Sequence, residues 1–411
     1  MNRPKVTYWN NIPSPYVVGR FNAVAARGNV DLDAWFSVDK LAINAWDVAP
    51  ADWAFRAEYV PAPRSTRNRL QLPLDRLRET RCDVFVSLFS EPSFVAGHLA
   101  ARRHAGRTAF RVLPTFDAWV PRSPQREAMK QVLFRSVDAA KVSGPAGASQ
   151  AGRYGLPPDR TFEVTQSIDV ELYSQALAMG PDERHQRRQE LGLHGFVFIY
   201  VGRLWQKKGL DDLFDAFELV QQKVPDCSLL IVGTGVDEDR YRERSQGNAS
   251  VIYTGFVQAR EIPQIYALAD AFVFPTLGDP NGLVVEEAMV SGLPVVSTTA
   301  AGDIARRLDD GTMGYLVPPT CPAQLADRMV RLAADPAGAR SMGAHGRERA
   351  IGKSHEQYAI DFEHFIESVL KLPPRRGPIP LLTGTAGRFV PTQASTPARD
   401  TAHPTGNITD T

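Results

Sequence analysis

The sequence predicts an α/β protein in which two domains, each built around a parallel β-sheet, face each other across a cleft. Three observations lead to this fold class. The chain has 411 residues, enough for two or three domains of ordinary size. Short apolar runs alternate with helical patterns in both halves of the chain, as expected for βαβ units. The runs are apolar on both faces, which is typical of parallel strands covered by helices on each side.

The second half of the chain, over residues 195–335, shows this alternation most clearly. Apolar runs that end near glycine or proline predict strands, and the periodic stretches between them predict helices. The predicted strands are Phe196–Val201, Ser228–Val232, Val251–Tyr253, Ala271–Pro275, Pro294–Ser297 and Tyr315–Val317, with helices over 209–223, 237–246, 260–268 and 283–291. Ligands bind beyond the carboxyl ends of the strands in such a sheet, and this is where the sequence places its glycines.

The first half of the chain repeats the theme less cleanly. Its predicted strands are Lys5–Tyr8, Asp31–Phe36, Val84–Leu88 and Thr108–Leu113, with helices near 17–27, 92–104 and 123–136. Residues 40–80 are rich in proline and arginine and allow no assignment, whereas periodic residues over 354–370 predict a final long helix. Residues 373–411 hold seven prolines and eight threonines without apolar periodicity. We expect this tail to be disordered, because it cannot bury enough apolar surface to offset its ordering entropy.

Composition limits the compartment and the class of partner. Lys and Arg number 47 against 46 Asp and Glu, which argues against nucleic acid as a partner, because such binders usually carry a strongly basic domain. Cys82, Cys227 and Cys321 form no C-x-x-C pair, which favours a reducing compartment over a disulfide framework. The first residues lack a signal-peptide pattern, and no uncharged apolar run reaches about 18 residues. We therefore expect a cytoplasmic protein, with peripheral contact at the inner face of a membrane left open.

The first group of residues suited to chemistry lies between a predicted strand and helix, over residues 202–209. It contains Arg203, Lys207 and Lys208 between Gly202 and Gly209. Cations beside backbone N–H groups suit a pyrophosphate, since arginine offers a planar fork and lysine a movable point charge. The alternative is a solvated turn with ordinary surface charges.

The second group lies over residues 279–289, where proline and glycine break the chain before a helix. The start of a helix presents unpaired N–H groups that can bind an anion, and Gly282 lets a ligand come close to the backbone. Glu287 could accept hydrogen bonds from a ribose diol, and Asp279 from sugar hydroxyls. The alternatives are a capping acid for Asp279 and a solvated helix residue for Glu287.

A third group, Gly233-Thr234-Gly235, resembles the start of a phosphate loop. The third glycine of the G-x-G-x-x-G pattern is replaced by Glu238. The group alone therefore supports a dinucleotide site only weakly, and a tight turn into the next helix explains it equally well.

The order of these groups along the chain resembles retaining glycosyltransferase family 4, whose enzymes have the GT-B fold of two facing Rossmann-like domains. The family pattern G-R-L-x-x-x-K-G is matched by Gly202, Arg203, Leu204, Lys208 and Gly209. The later pattern E-P-F-G-L-V-x-x-E-A-M is matched by the run Asp-Pro-Asn-Gly-Leu-Val-Val-Glu-Glu-Ala-Met over 279–289. The resemblance is strong over about 190–335 and loose over the first half, where Ile12-Pro-Ser-Pro-Tyr16 is similar.

The resemblance implies a domain organisation and a role for each matching residue. An acceptor-side domain is implied over 1–170, a nucleotide-sugar domain over 171–355, and a helix over 356–372 that returns to the first domain. Arg203 and Lys208 would hold the donor diphosphate and stabilise the leaving nucleotide, while Asp279 would contact the donor sugar. The remaining donor-binding residues implied are Gly202, Gly233 and Gly235 in the loops, the Gly282 and Leu283 amides at the helix start, and Glu287 on the ribose.

Three departures from the family pattern bear on the site. Asp279 replaces the usual Glu and is one methylene shorter, and Asn281 replaces the usual Phe. Asp117 stands where many members carry a His, and no catalytic base is assigned. Glu286 lies about 100° around the helix from Glu287, so we expect it to point elsewhere. His98 and His104 are interpreted as helical surface residues.

The implied reaction is transfer of a sugar from a nucleotide-diphosphate sugar to a glycan or lipid-linked acceptor, with retention, in polysaccharide biosynthesis. No metal or other cofactor is expected, because electrostatic stabilisation of the leaving diphosphate supplies most of the catalysis.

Two alternative functions stay open: a sugar-nucleotide epimerase on the same fold, and a non-catalytic sugar-nucleotide-binding module. Residues 126–135 form either an amphipathic membrane patch or a helix packed normally on one face. The donor sugar, its nucleotide and the acceptor are not specified.

Overall fold

A computed structural model describes residues 3–37, 46–60, 75–79, 81–89, 92–113 and 123–376 of the chain. These residues form two lobes, each with a parallel sheet between helices. Asp117 lies outside the described residues, as does most of the proline- and arginine-rich stretch over 40–80.

The amino-terminal lobe contains a seven-stranded sheet in the order β3-β2-β1-β4-β5-β6-β7, with every pair parallel. Its central strands are almost fully buried, as their apolar sequences require. The strands are β1 (Lys5–Asn10), β2 (Asp31–Phe36), β3 (Arg56–Tyr59), β4 (Val84–Ser87), β5 (Arg107–Val112), β6 (Ala139–Val142) and β7 (Thr161–Glu163).

The carboxy-terminal lobe contains a six-stranded parallel sheet in the order β10-β9-β8-β11-β12-β13. The strands are β8 (Phe196–Val201), β9 (Cys227–Val232), β10 (Val251–Gly255), β11 (Ala271–Phe274), β12 (Val295–Thr298) and β13 (Gly314–Val317). In both lobes the strand order reverses beside the first strand, which is the arrangement of a doubly wound Rossmann-like domain. The predicted fold class is therefore confirmed for both halves.

Helices cover both faces of each sheet. Those of the first lobe are α1 (Pro15–Arg27), α2 (Pro92–His104), α3 (Pro124–Ser136) and α4 (Pro145–Arg153), with residues 75–79 also helical. Those that follow are α5 (Val170–Ser174), α6 (Pro181–Glu190), α7 (Leu210–Lys223), α8 (Glu238–Arg244), α9 (Ile262–Tyr266), α10 (Val284–Val290), α11 (Pro322–Ala334), α12 (Pro336–Ala350) and α13 (His355–Lys371).

The final helix, α13, packs against the first lobe although it follows the second in sequence. Its Tyr358 and Phe362 are buried in the same apolar core as Tyr8 and Phe21, and the Tyr8 and Phe362 rings are 6.0 Å apart. The chain therefore crosses between the lobes a second time, which ties the two sheets together beside the cleft.

The start of the predicted disordered tail is ordered against the first lobe. The backbone N–H of Arg375 donates to Asp138 over 2.5 Å, and the Arg376 guanidinium donates to the Ala105 carbonyl over 2.5 Å. The prediction of disorder is therefore wrong for residues 373–376, because the Arg375 backbone and the Arg376 side chain form hydrogen bonds with the first lobe. Residues 377–411 lie outside the described part of the chain.

Burial settles one surface prediction in the first lobe and leaves a second one open. His98 is fully buried, so its interpretation as a surface histidine is wrong. Its ring is tilted against that of Phe110, with the centroids 4.6 Å apart. Helix α3 buries Leu133 and Phe134 and exposes Met129, which is compatible with both interpretations of residues 126–135. Among the described residues, no helix is both long and apolar enough to cross a membrane.

Candidate active site

The loop after β8 carries the first group of predicted site residues across the end of the sheet. Gln206–Lys208 form a short 3-10 turn that ends at Gly209, which has a φ of 73°. A Cβ atom on Gly209 would collide with the carbonyl oxygen of Pro275, so only glycine fits this close approach. The turn thus places Lys208 directly against the loop that follows β11.

That second loop meets Lys208 through Asp279. The Lys208 ammonium forms an ion pair with Oδ2 of Asp279, and Oδ1 accepts from the backbone N–H groups of Asn281 at 2.9 Å and Gly282 at 2.5 Å. Burial would raise the pKa of Asp279, but the charge of Lys208 and these hydrogen bonds hold it below its usual value. Asp279 therefore closes the turn before α10, which has no side-chain cap of its own, and the Gly282 amide is already paired with Asp279.

Glu287 is buried at the start of α10 and is only 2% exposed, so its alternative interpretation as a solvated residue is wrong. Its carboxylate accepts a hydrogen bond from Tyr16 of the first lobe and another from Tyr266 at 3.2 Å. Burial raises its pKa to about 7, although the hydroxyls of Tyr16, Tyr173 and Tyr266 oppose the rise. A buried carboxylate surrounded by hydroxyl donors is a suitable acceptor for a diol.

Glu286 points away from Glu287, as their positions on the helix predict. Its Oε1 lies 2.7 Å from Nε of Arg307, and burial raises its pKa above the usual value. Glu286 borders a separate cavity of about 300 Å³ between the lobes, which Ser143 and Gln166 also line.

A cavity of about 150 Å³ brings four of the nine predicted site residues together at the crevice between β8 and β11. Its lining includes Gly202, Arg203, Gly233 and Thr234 from two strand-end loops, Val284 and Glu287 from α10, and Tyr16 and Trp46 from the first lobe. The crevice is the point where strand order reverses, the usual ligand site of an open α/β sheet. Its volume lies below the roughly 300–1,000 Å³ of small-molecule sites, so the crevice must widen to admit a donor.

Five predicted site residues are not part of the wall of this cavity: Lys208, Gly235, Asp279, Gly282 and Leu283. Gly235 packs so closely on Leu204 that a Cβ atom would collide with the Leu204 carbonyl, which fits the tight-turn interpretation of that glycine. Leu283 instead lines a neighbouring cavity of about 250 Å³.

The neighbouring cavity lies between the lobes, on the side that the family resemblance implies for the acceptor. Its first-lobe wall follows the ends of β1, β4 and β5 and contains Asn10, Ser14, Arg20 and Arg111, and its second-lobe wall contains Asn281 and Leu283. Sequence reasoning found none of these first-lobe residues as site residues. The available signals were the polar pair Asn10-Asn11 at the end of a strand and a basic residue, Arg20, inside an otherwise apolar helix.

Comparison with known proteins shows the family of this chain. A family model described as glycosyl transferases group 1 matches residues 195–335. A GDP-mannose-dependent alpha-(1-6)-phosphatidylinositol monomannoside mannosyltransferase of Mycolicibacterium smegmatis is 34% identical over 275 residues, which cover 63% of this chain and 69% of that protein. The chain belongs to the group 1 glycosyltransferases. A D-inositol 3-phosphate glycosyltransferase of Corynebacterium glutamicum is 30% identical over 247 residues, covering 57% of this glycosyltransferase and 58% of that relative.

Solved structures share the whole fold of this glycosyltransferase. Anabaena HepE in complex with UDP and glucose superposes with a TM-score of 0.72 at 18% identity, covering 89% of this chain and 99% of HepE. The sucrose-phosphate synthase of Thermosynechococcus elongatus gives a TM-score of 0.69 at 20% identity, covering 88% and 98%. The fold of this glycosyltransferase is therefore GT-B, as the sequence resemblance implied.

Proposed function

We propose that this chain transfers a sugar from a nucleotide-diphosphate sugar to a glycan or lipid-linked acceptor with retention of the anomeric configuration. A hydroxyl oxygen of the acceptor forms a bond to the anomeric carbon while the bond from that carbon to the diphosphate breaks. The nucleoside diphosphate leaves with the bonding electron pair, and its terminal phosphate oxygen takes the proton of the hydroxyl. Attack and departure on the same face of the sugar give retention.

One observation carries the proposal: Arg203 and Glu287 share the wall of one crevice, and Lys208 lies at the loop next to it. Negative charge grows on the leaving diphosphate, and fixed cations in a site that excludes water stabilise that charge. Arg203 and Lys208 supply the cations, while the Glu287 carboxylate accepts hydrogen bonds from the ribose hydroxyls. Contact between Asp279 and the donor sugar is part of the proposal and requires the carboxylate to leave the Gly282 amide.

The relatives support a nucleotide-diphosphate donor without fixing its base or sugar. One relative is named as GDP-mannose-dependent, and one structural neighbour was solved with UDP and glucose. We propose that turnover needs no metal, because Arg203 and Lys208 provide the charge that a metal ion supplies elsewhere. A chelating agent should then leave the rate unchanged.

The compartment and membrane contact are proposals as well. The three cysteines are free, which supports a reducing, cytoplasmic setting. Contact with the inner face of a membrane would serve a lipid-linked acceptor, and Met129 on α3 offers an exposed apolar side chain for it. Flotation with anionic vesicles tests this contact, and a chain that stays at the bottom of the gradient contradicts it.

A thermal-shift screen of UDP, GDP and ADP sugars tests donor binding first. A ligand present at a hundredfold excess over its Kd should stabilise the native protein by about 2.7 kcal/mol. Transfer is then measured by mass spectrometry with the stabilising donor, and the anomeric configuration of the product by NMR. An inverted product contradicts the mechanism.

Matched lysine variants test the site assignment. Lys208→Ala should lower the rate by a factor of about 10²–10³, in the range found for loss of one charge-stabilising donor. Lys207→Ala removes an adjacent lysine whose Nζ lies 4.6 Å from the centre of the Trp205 ring, and should keep most of the activity. Equal rates for the two variants would refute the assignment.

The same assays separate the two rivals. An epimerised nucleotide sugar formed without acceptor would favour the epimerase. Tight donor binding with neither transfer nor hydrolysis would favour the non-catalytic module.

A further inference from the structure

Three basic side chains gather beneath the acceptor-side cavity: Arg20 on α1, Arg111 on β5 and Lys141 on β6, referred to below as the basic cluster. Arg20 and Arg111 line the cavity of about 250 Å³. Lys141 lies behind them on the adjacent strand. None of the three was part of the donor site, and the sequence patterns gave no reason to group them.

The sheet register holds two members of the basic cluster side by side. Arg111 pairs with Lys141 across the parallel strands β5 and β6, and like charges opposite each other on neighbouring strands are destabilising. Arg20 reaches the same place from α1, since its guanidinium carbon lies 5.4 Å from the centre of the Tyr358 ring. Nζ of Lys141 lies 4.8 Å from the centre of that ring.

Burial makes this arrangement costly in the absence of an anion. Arg20 is 4% exposed and Lys141 is 2% exposed, and a buried charge is unfavourable unless it is paired. Burial lowers the pKa of Arg20 to about 10, and Arg111 adds to the fall. Burial also lowers the pKa of Lys141, again with Arg111 and Arg20 adding to the fall.

The described surroundings compensate little of this charge. Arg20 donates to Ser167, over 3.1 Å to its hydroxyl and 2.8 Å to its carbonyl, and Arg111 donates to the Asn10 side chain over 3.3 Å. These partners are neutral. Among described residues, Asp361 is the carboxylate whose charge favours protonated Lys141, and it also accepts from the Thr165 amide over 3.0 Å.

The histidine packed against the basic cluster, His355, neither adds to nor offsets the positive charge of the cluster. Burial lowers the pKa of His355 to about 4, with Arg20 contributing, although Asp169 opposes the fall. Its Nδ1 lies 3.0 Å from the Ser167 hydroxyl. His355 is therefore neutral near pH 7, and the cluster retains an excess of positive charge at the wall of an open cavity.

We propose that the basic cluster binds a phosphate group on the acceptor, so that the acceptor is a phosphorylated sugar or polyol, either free or as a lipid headgroup. This inference rests on the proposed function and specifies its acceptor. The two arginines at the cavity wall, Arg20 and Arg111, match a phosphate dianion better than a single carboxylate, because the guanidinium fork suits the phosphate oxygens. The opposite wall of the cavity, Asn281 and Leu283, belongs to the donor lobe. A phosphate held on the cluster therefore leaves the rest of the acceptor facing the donor.

Titration with inorganic phosphate tests the cluster directly. Calorimetry is run with the whole chain in saturating nucleoside diphosphate, which fills the donor site. Arg111→Gln and Arg20→Gln should each weaken phosphate binding at least tenfold, whereas Arg56→Gln, an exposed arginine paired with Asp31 over 3.0 Å, should not. Arg111 is only half-buried, so Arg111→Gln carries the test if Arg20→Gln fails to fold.

Transfer kinetics provide the second readout. Hexose 6-phosphates are compared with the same hexoses without phosphate, and phosphatidylinositol vesicles with phosphatidylcholine vesicles, which separates the free and lipid sources. We expect the phosphorylated member of one pair to have a KM at least tenfold lower, and Arg111→Gln to remove that preference while kcat stays within a few fold.

The inference would be overturned if the wild-type chain bound no phosphate or if Arg111→Gln bound it equally well. A preference for an uncharged sugar or a hexuronic acid as acceptor would overturn it as well. If no nucleotide sugar binds, the proposed function fails separately. Phosphate titration of Lys208→Ala, whose donor site is weakened, still tests the cluster in that case.

Discussion

Replacing Glu287 by Gln should stabilise the protein while weakening its binding of donor. The carboxylate is buried and its pKa is raised from 4.5 to about 7, because desolvation disfavours the charged form. The native state therefore binds this proton more tightly than the unfolded chain does. Stability from this group is present at low pH and is lost as the pH rises from about 4.5 through 7.

The size of the effect follows from the two pKa values. A tenfold change in proton affinity is worth about 1.4 kcal/mol, so the ionised Glu287 costs about 3 kcal/mol at pH 8. At pH 5 the native group is protonated, and the cost falls below about 1 kcal/mol. Glutamine carries no charge at either pH, and its amide can still exchange hydrogen bonds with Tyr16 and Tyr266. The stability gained by Glu287→Gln should therefore be about 2 kcal/mol larger at pH 8 than at pH 5.

Urea unfolding at the two pH values measures this difference, with Glu243→Gln as a control that removes an exposed carboxylate. Calorimetric titration of the donor at pH 8 should show at least a tenfold weaker Kd for Glu287→Gln, since hydrogen bonds to a charged group contribute about 1.5–3 kcal/mol each. Wild-type donor affinity should also rise from pH 5.5 to 8 as Glu287 ionises. The reasoning would be refuted if the stability gained by Glu287→Gln were the same at both pH values, or if the variant bound donor as tightly as wild type does.

Two further predictions concern backbone geometry and acid stability. Gly209→Ala should lower both stability and transfer rate, because its Cβ would collide with the Pro275 carbonyl and shift the adjacent lysine. Gly247→Ala is the control, because Gly247 has a φ of 85° and open space around it. It should lose only about 1 kcal/mol of stability, from the backbone conformation alone. Equal losses of stability and rate in the two variants would contradict the packing argument. Burial lowers the pKa of His98 to about 3, so its contribution to stability is present above about 6.5 and is lost as the pH falls. Between pH 7.5 and pH 5, the free energy of unfolding should fall by about 2 kcal/mol less for His98→Gln than for wild type, as measured by urea unfolding. An identical fall in both proteins would contradict the contribution of His98 to acid sensitivity.

The sheet cores were predictable because their strands are continuous apolar runs. Phe196–Val201 and Asp31–Phe36 were predicted with the ends that the structure gives. Strands β3 and β7 were missed because they lie at the edges of the first sheet, where half-exposed polar residues replace the apolar run. Strand β6 was missed because Lys141 interrupts its apolar pattern, although that lysine is buried.

The crevice proposed for the donor was predictable from local spacing, whereas the cavity proposed for the acceptor was not. Gly202 and Arg203 follow strand β8 and Glu287 lies on α10, and all three belong to motifs that the sequence shows. Arg20 and Arg111 are nearly a hundred residues apart in sequence, and only the parallel order of β1, β4 and β5 brings them to one crevice. A single sequence contains no signal for that pairing.

Asp279 shows how one substitution can change the resting state of a site. A carboxylate this close to the backbone accepts hydrogen bonds two and three residues ahead, as aspartate does in turns, and here it reaches Asn281 and Gly282. The same carboxylate pairs with Lys208. Two groups assigned to the donor diphosphate are therefore occupied by an internal anion before the donor arrives. A glutamate, one methylene longer, would reach past these amides, so the shorter side chain makes donor binding an exchange of one anion for another.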